Sequence, residues 1–218
     1  VRSFGSDPKN VTKMGVSLIN GFKAAGILSI VKHFPGHGDT SQDSHYDVPV
    51  VKGSLSQLQR IHLPPFVAAV KHDVDGVMTG HIMYPALDEK NIATFSQPIL
   101  QGLLRNKMGF KGLIVTDSLD MKSATSFCTI AGCGVRALET GADMILLGRY
   151  VKPISVFNQM AQEIKSKNLT ARVEESARKI FETKKKMGLL DGEKQRPSPI
   201  EEAYQTELEK ISDRAVTL

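Results

Sequence analysis

Cysteine is scarce in this chain: Cys128 and Cys133 are the only two among 218 residues. A lone C-x4-C without further cysteines matches neither a structural zinc site nor a disulfide framework, so both are expected as free, partly buried thiols. No apolar run approaches the roughly 20 residues that a membrane-spanning helix requires, so no membrane span is expected. No signal peptide opens the chain, an absence without weight because Val1 stands where an initiator methionine would be. Charge of one sign is not concentrated either. The net charge is +5, yet the basic residues are scattered apart from Lys184-Lys185-Lys186, and no nucleic-acid motif accompanies them. A solvated basic surface without a nucleic-acid partner is the expectation.

What the chain does have is 41% hydrophobic and 23% charged residues, an ordinary balance for a soluble protein with one main domain. Asp7 and Pro8 read as the cap and first residue of a helix running to Gly26. Apolar strands are expected at residues 27–31, 74–81, 113–116 and 144–147, each bounded by polar or glycine residues. Helices are expected between and after them, at residues 55–71 with a break or late start at Pro64-Pro65, then 99–108, through 135–138, 153–167 and 170–187. Residues 84–93 read as a loop, 191–199 as a polar linker and 200–218 as a final helix. Strands alternating with helices predict a parallel α/β sheet covered on both faces, with any site at the strand C-terminal ends in a barrel and an open sheet alike.

One stretch concentrates reactive groups. Between Lys32 and His45 lie three histidines, two aspartates and a lysine, directly after the first apolar run and interrupted by Pro35, Gly36 and Gly38. Polar residues gathered in an irregular loop at a strand end usually serve ligands or chemistry. Asp43 and His45 are one residue apart, so in extended backbone they share a side, where the carboxylate would orient the imidazole and raise its pKa; an incidental pair in a polar loop is the alternative. Asp117 ends the third strand and is either a carboxylate held in a cleft or the N-cap of a helix over residues 118–124. His33, His37, His45 and Asp39 are metal-ligand types, but H-x3-H in a Pro-Gly loop is not the helical pair of the zincins, so no metal is expected. Lys32 and His33 would offer donors to a hydroxyl-rich or anionic ligand.

Lys32-His33-Phe34-Pro35-Gly36-His37-Gly38 with Asp43-Ser44-His45, Val115-Thr116-Asp117-Ser118-Leu119-Asp120-Met121 and Gly141-Ala142-Asp143 together resemble the β-N-acetylglucosaminidases of glycoside hydrolase family 3. The blocks Arg2-Ser3-Phe4-Gly5-Ser6-Asp7-Pro8 and residues 77–87 extend the resemblance over about residues 1–190, in the family's order. It implies that Asp117 is the nucleophile of a covalent glycosyl-enzyme, that His45 is general acid and base with Asp43 orienting it, and that Arg2, Lys32 and His33 contact the sugar. The implied activity is retaining hydrolysis of terminal β-linked N-acetylglucosamine from peptidoglycan-type fragments, with no cofactor.

The implied fold is a (β/α)8 TIM barrel, which typically takes about 250 residues. Only four strands are found here, and the resemblance places them as strands 5 to 8. Residues 1–190 are therefore expected as the C-terminal half of the barrel, and residues 191–218 as a linker and helix leading to an absent second domain. Residues 126–134 depart from the family's pattern. The missing strands motivate a partner supplying the other barrel half, or self-association, and they motivate a non-catalytic carbohydrate-binding fragment as one rival reading. A phosphorylase of the same family is the other. Localisation is left open between bacterial cytoplasm and cell surface.

Overall fold

The computed structural model of the chain describes residues 3–40, 48–190, 206, 209 and 210. Contacts divide it into two compact units, Val1–Thr183 and Lys184–Leu218. In the second unit, Gly188 adopts a positive φ, the Met187 and Leu189 amides bond back to the Lys184 carbonyl, and Thr206, Glu209 and Lys210 are helical. The expected linker at residues 191–199, and most of the final helix, lie outside the described residues.

Helix α1 (Pro8–Ala24) starts where the sequence indicates: Asp7 Oδ1 accepts from the Lys9 and Asn10 amides at 2.6 and 3.2 Å, and Pro8 occupies the first turn. Three parallel strands follow in the order β1 (Ile30–Phe34), β2 (Gly76–Thr79), β5 (Leu113–Val115). β1 begins later than the apolar run predicts. Its register places Ile30 opposite Gly76 and Phe34 opposite Thr79, so Lys32 and His33 belong to the strand and not to the loop after it. The N-terminal ends of the strands are tied by Asp75, whose carboxylate accepts from the Ser29 amide at 3.0 Å while its carbonyl accepts from Leu113 N at 2.9 Å.

The helical segment at 55–71 is broken, as its prolines suggest, into α2 (Leu55–Gln57), a π-type turn over Leu58–His62 and α3 (Pro64–Lys71), which packs on α1. The 84–93 loop instead contains an antiparallel hairpin, β3 (Met83–Tyr84) with β4 (Asp88–Ile92). The Pro98–Lys107 helix has π-type hydrogen bonding and buries Ile99, Leu100, Leu103 and Leu104. The remaining helices are α4 (Lys122–Thr125), α5 (Ile130–Thr140), α6 (Pro153–Ser166) and α7 (Thr170–Lys186). Phe34, Val77, Ile82, Tyr84, Leu104, Ile114 and Leu119 are fully enclosed in the core between these helices and the sheet.

Three further expectations are corrected. The fourth strand is reduced to a parallel bridge between Val115 and Met144. Thr116 N bonds the Met144 carbonyl, but the next ladder position goes to a side chain, with Leu146 N donating to Thr116 Oγ1 at 3.0 Å. The sheet is also not covered throughout: Ile30, Met144 and Leu146 are 49%, 40% and 41% exposed at its two edges. Finally, Cys128 and Cys133 are not free thiols but a disulfide. The turn capped by Thr129, which accepts from Gly132 N at the start of α5, brings their Cα atoms to 5.5 Å, within bridging reach.

At the strand starts sits Asp143, whose side chain has no solvent exposure. Its Oδ2 accepts from Arg105 at 2.6 Å and from Ile114 N at 3.0 Å; its Oδ1 accepts from Arg172, Ser176 and Lys179, each at 3.2 Å. Truncating one partner of a buried ion cluster leaves uncompensated charge, typically at a cost of about 3–5 kcal/mol. Asp143→Ala is therefore expected to destabilise the chain on that scale in urea unfolding; a change under about 1 kcal/mol would show that the cluster does not hold the fold together.

Candidate functional site

The opposite, C-terminal ends of the same strands bring His33 and Asp117 together. His33 Nε2 lies 3.3 Å from Asp117 Oδ2, each side chain 22% exposed, and the other carboxylate oxygen accepts from Ser118 N at 2.8 Å. This geometry decides between the two readings of Asp117. The following helix starts only at Lys122 and has Met121 at its cap position, so Asp117 caps nothing and is turned to the rim of the sheet. Burial pushes the Asp117 pKa up, but the bond from His33, the Ser118 amide and the nearby imidazole charges together outweigh it and hold the group at about 2. The carboxylate is thus ionised, partly open and fixed in orientation.

The Gly36 carbonyl is one anchor of the loop after β1. Gly36 O accepts from Tyr84 Oη at 2.8 Å and from His62 Nδ1 at 3.2 Å, and Gly36 has φ +135, a conformation that side chains rarely adopt. Because a carbonyl only accepts, His62 Nδ1 is the donor to Gly36. Burial pushes the Tyr84 phenol up, so it remains a donor. His62 Nε2 lies 4.0 Å from Asp39, and the His37 ring stands edge-on to His33 with centroids 5.8 Å apart. The peptide bonds Lys32–His33 and Phe34–Pro35 are cis. Lys32 is exposed on β1.

Arg2, Asp43 and His45 lie outside the described residues. Among the described residues no group of three or more His, Cys, Asp or Glu is placed to hold a metal ion, and no helix is long and apolar enough to cross a membrane.

Sequence reasoning missed His81. It follows β2, is 1% exposed, and contacts Thr94 Oγ1 through Nδ1 at 2.8 Å and the Ser118 carbonyl through Nε2 at 3.0 Å. A signal existed, since His81 ends an apolar run as Asp117 does. Tyr84 and His62 gave none: one reads as a loop residue and the other as a helix residue. A second polar cluster, around a cavity of about 590 Å³ lined by Arg105, Lys111, Arg172 and Lys179 among others, is backed by Asp143 at the other end of the strands. The donors of Arg105 and Arg172 there are used on Asp143 and on backbone carbonyls, which makes the cluster structural.

Against known proteins, a model of the glycosyl hydrolase family 3 N-terminal domain matches residues 1–183. Beta-hexosaminidase A of Pseudoalteromonas piscicida is 38% identical, over 73% of this chain and 28% of that protein. The structure of a glycoside hydrolase family 3 β-N-acetylglucosaminidase from Paenibacillus sp. str. FPU-7 superposes with a TM-score of 0.84 at 35% identity, over 91% of this chain and 38% of the other. The β-glucoside phosphorylase BglX superposes with a TM-score of 0.83 at 27% identity, over 91% and 37%. The chain spans less than half the length of each of these three proteins.

The electrostatics predict an acid-side signature. The folded pKa of Asp117 is depressed, so its contribution to stability is fully present above the ordinary value of 3.8 and is lost as pH falls toward about 2. Asp117→Asn lacks this component. Urea unfolding at stepped pH is expected to show a smaller loss of stability between pH 3.8 and 2 for the variant than for the parent chain; identical slopes would mean that the carboxylate is not held as described.

Proposed function

Since the chain belongs to the glycosyl hydrolase family 3 N-terminal domain family, we propose that it carries the reacting half of a retaining β-N-acetylglucosaminidase. The observation that carries this reading is the Asp117 carboxylate, held ionised at the strand ends between His33 and Ser118 N. Such a group is available to attack an anomeric carbon at any ordinary working pH. The names of the relatives support β-linked N-acetylglucosamine as the substrate class; a terminal position of that sugar and peptidoglycan-type fragments as the saccharides are proposed.

In the proposed reaction Asp117 attacks C1 as the glycosidic C1–O bond breaks, and the departing oxygen takes a proton from His45. Water then gives a proton to His45 and attacks C1, the ester bond to Asp117 breaks, and two inversions leave net retention. His45 must be protonated in the first step and neutral in the second, which a pKa near working pH allows. Asp43 orients His45, while Arg2, Lys32 and His33 bind the sugar. Residues 1–190 are proposed as the C-terminal half of a (β/α)8 barrel, with β1, β2, β5 and residues 144–147 as its strands 5 to 8. The exposed apolar residues at both sheet edges and the greater length of the relatives support this. Residues 191–218 are proposed as a linker and helix.

The similarity to BglX supports a second reading, in which phosphate replaces water in the second step. Product analysis in phosphate buffer separates the two: a sugar 1-phosphate marks the phosphorylase, the free sugar the hydrolase.

In the assembly that turns over substrate, Asp117→Ala is expected to abolish activity on every glycoside, because no glycosyl-enzyme forms whatever the leaving group. His45→Ala is expected to slow a natural disaccharide by about 10²–10⁴-fold in the first step, and to spare an aryl glycoside whose phenol needs little protonation. Turnover surviving in Asp117→Ala, or equal losses on both substrates in His45→Ala, would refute these roles.

A further inference from the structure

Thr79, His81 and Thr94 form a row of hydrogen bonds with almost no solvent contact, their exposures being 0%, 1% and 0%. The row has a direction. The Ser118 carbonyl has no proton to give, so His81 Nε2 must donate to it across 3.0 Å. Burial lowers the His81 pKa, against the opposing pull of the Ser118 carbonyl and Asp117, which favours the neutral ring with Nδ1 as an acceptor. In that ring Thr94 Oγ1 donates to Nδ1 at 2.8 Å and Thr79 Oγ1 to Thr94 at 2.8 Å; in the protonated ring Nδ1 donates to Thr94, whose hydrogen then turns to the Gly80 carbonyl at 3.2 Å, and Nε2 donates to Ser118 in both.

The row ends on the residue that touches Asp117. Each polar group of Ser118 is engaged: its N–H donates to Asp117 Oδ1, its carbonyl accepts from His81, and its hydroxyl donates to Asp120 at 2.5 Å. Asp120 in turn lies against Gly148, with no room for a Cβ there. Ser118 is thus held from both sides, and any shift of it moves the amide that fixes one oxygen of Asp117.

We propose that His81 is a positioning residue for Asp117, acting through Ser118: Thr79 and Thr94 lock its ring, and its Nε2–H clamps the Ser118 carbonyl so that the Asp117 carboxylate stays between Ser118 N and His33. This rests on reading Asp117 as the nucleophile, a group for which misplacement by about 1 Å can cost on the order of 10²-fold in rate.

The test follows the Asp117 carboxyl carbon by NMR titration of the whole chain, which needs no turnover. In the parent chain the midpoint is expected at about 2. His81→Leu removes the clamp, so the midpoint is expected to rise toward the ordinary 3.8. In His81→Gln the amide Nε2 can still reach the Ser118 carbonyl, and the midpoint is expected to stay near that of the parent. Circular dichroism and a cooperative melt establish that each variant is folded. Thr94→Val, which unlocks the ring and also removes the contacts of the same hydroxyl to Thr79 and the Gly80 carbonyl, covers the case in which His81→Leu fails to fold and is expected to move the midpoint the same way by a smaller amount.

A folded His81→Leu with an unmoved midpoint overturns the proposal. So does an equal rise in the Leu and Gln variants, because that would trace the effect to the lost imidazole charge and not to the clamp; if His81→Leu does not fold, an unmoved midpoint in Thr94→Val overturns it. The nucleophile reading fails separately, through turnover by Asp117→Ala.

Discussion

Asp143 binds elements that local sequence cannot bring together. Its two oxygens collect Arg105 from the Pro98–Lys107 helix, Arg172, Ser176 and Lys179 from α7, and the Ile114 amide from β5. A carboxylate without solvent is costly unless it is fully bonded and paired, so none of these donors can drift without exposing an unpaired charge to the low-dielectric interior. Arg105 extends the same constraint to the turn before β5 through the Phe110 and Gly112 carbonyls. The seating of two helices against the sheet follows from this one group.

Parallel pairing carries that constraint to the other end. With Asp75 tying the starts of β1, β2 and β5, and with Ile30, Gly76 and Leu113 in register, the C-terminal ends of the strands reach a common rim. His33, Thr79 and Asp117 arrive there from three separate stretches of chain. Burial and hydrogen bonding then act in opposite senses on neighbouring groups. Asp117 is kept charged because His33 and Ser118 N outweigh its desolvation, while the pKa of His81, sealed beneath the rim, is lowered because desolvation prevails over its partners.

Much of this was legible in one dimension. Asp7-Pro8 marked the start of α1, apolar runs marked β2 and β5 and the break at Pro64-Pro65 was foreseen, because caps, prolines and periodicity act within a few residues. The β3–β4 hairpin was not, since Asp88-Glu89-Lys90-Asn91 carries no strand-like alternation and pairs only because Met83 and Tyr84 stand opposite. The bridge at Met144 replaced an expected strand because Thr116 intercepts the Leu146 amide, which no run of Met144-Ile145-Leu146-Leu147 could reveal. The disulfide was misread because spacing alone says nothing about the turn that closes it.

The sequence by itself determined where the reactive residues sit along the chain: His33 and Asp117 at the ends of apolar runs, in motifs specific enough to identify the family. Tertiary structure alone decided what each one meets. Asp117 could have been a helix cap or a rim carboxylate, and the choice turned on a strand more than eighty residues upstream presenting His33 at 3.3 Å. His81 and Asp143 acquired their partners in the same way, across 37 residues to Ser118 and 38 to Arg105. Local pattern encodes the periodicity of burial, whereas a hydrogen bond between distant residues exists only once parallel register and helix packing have set their distance.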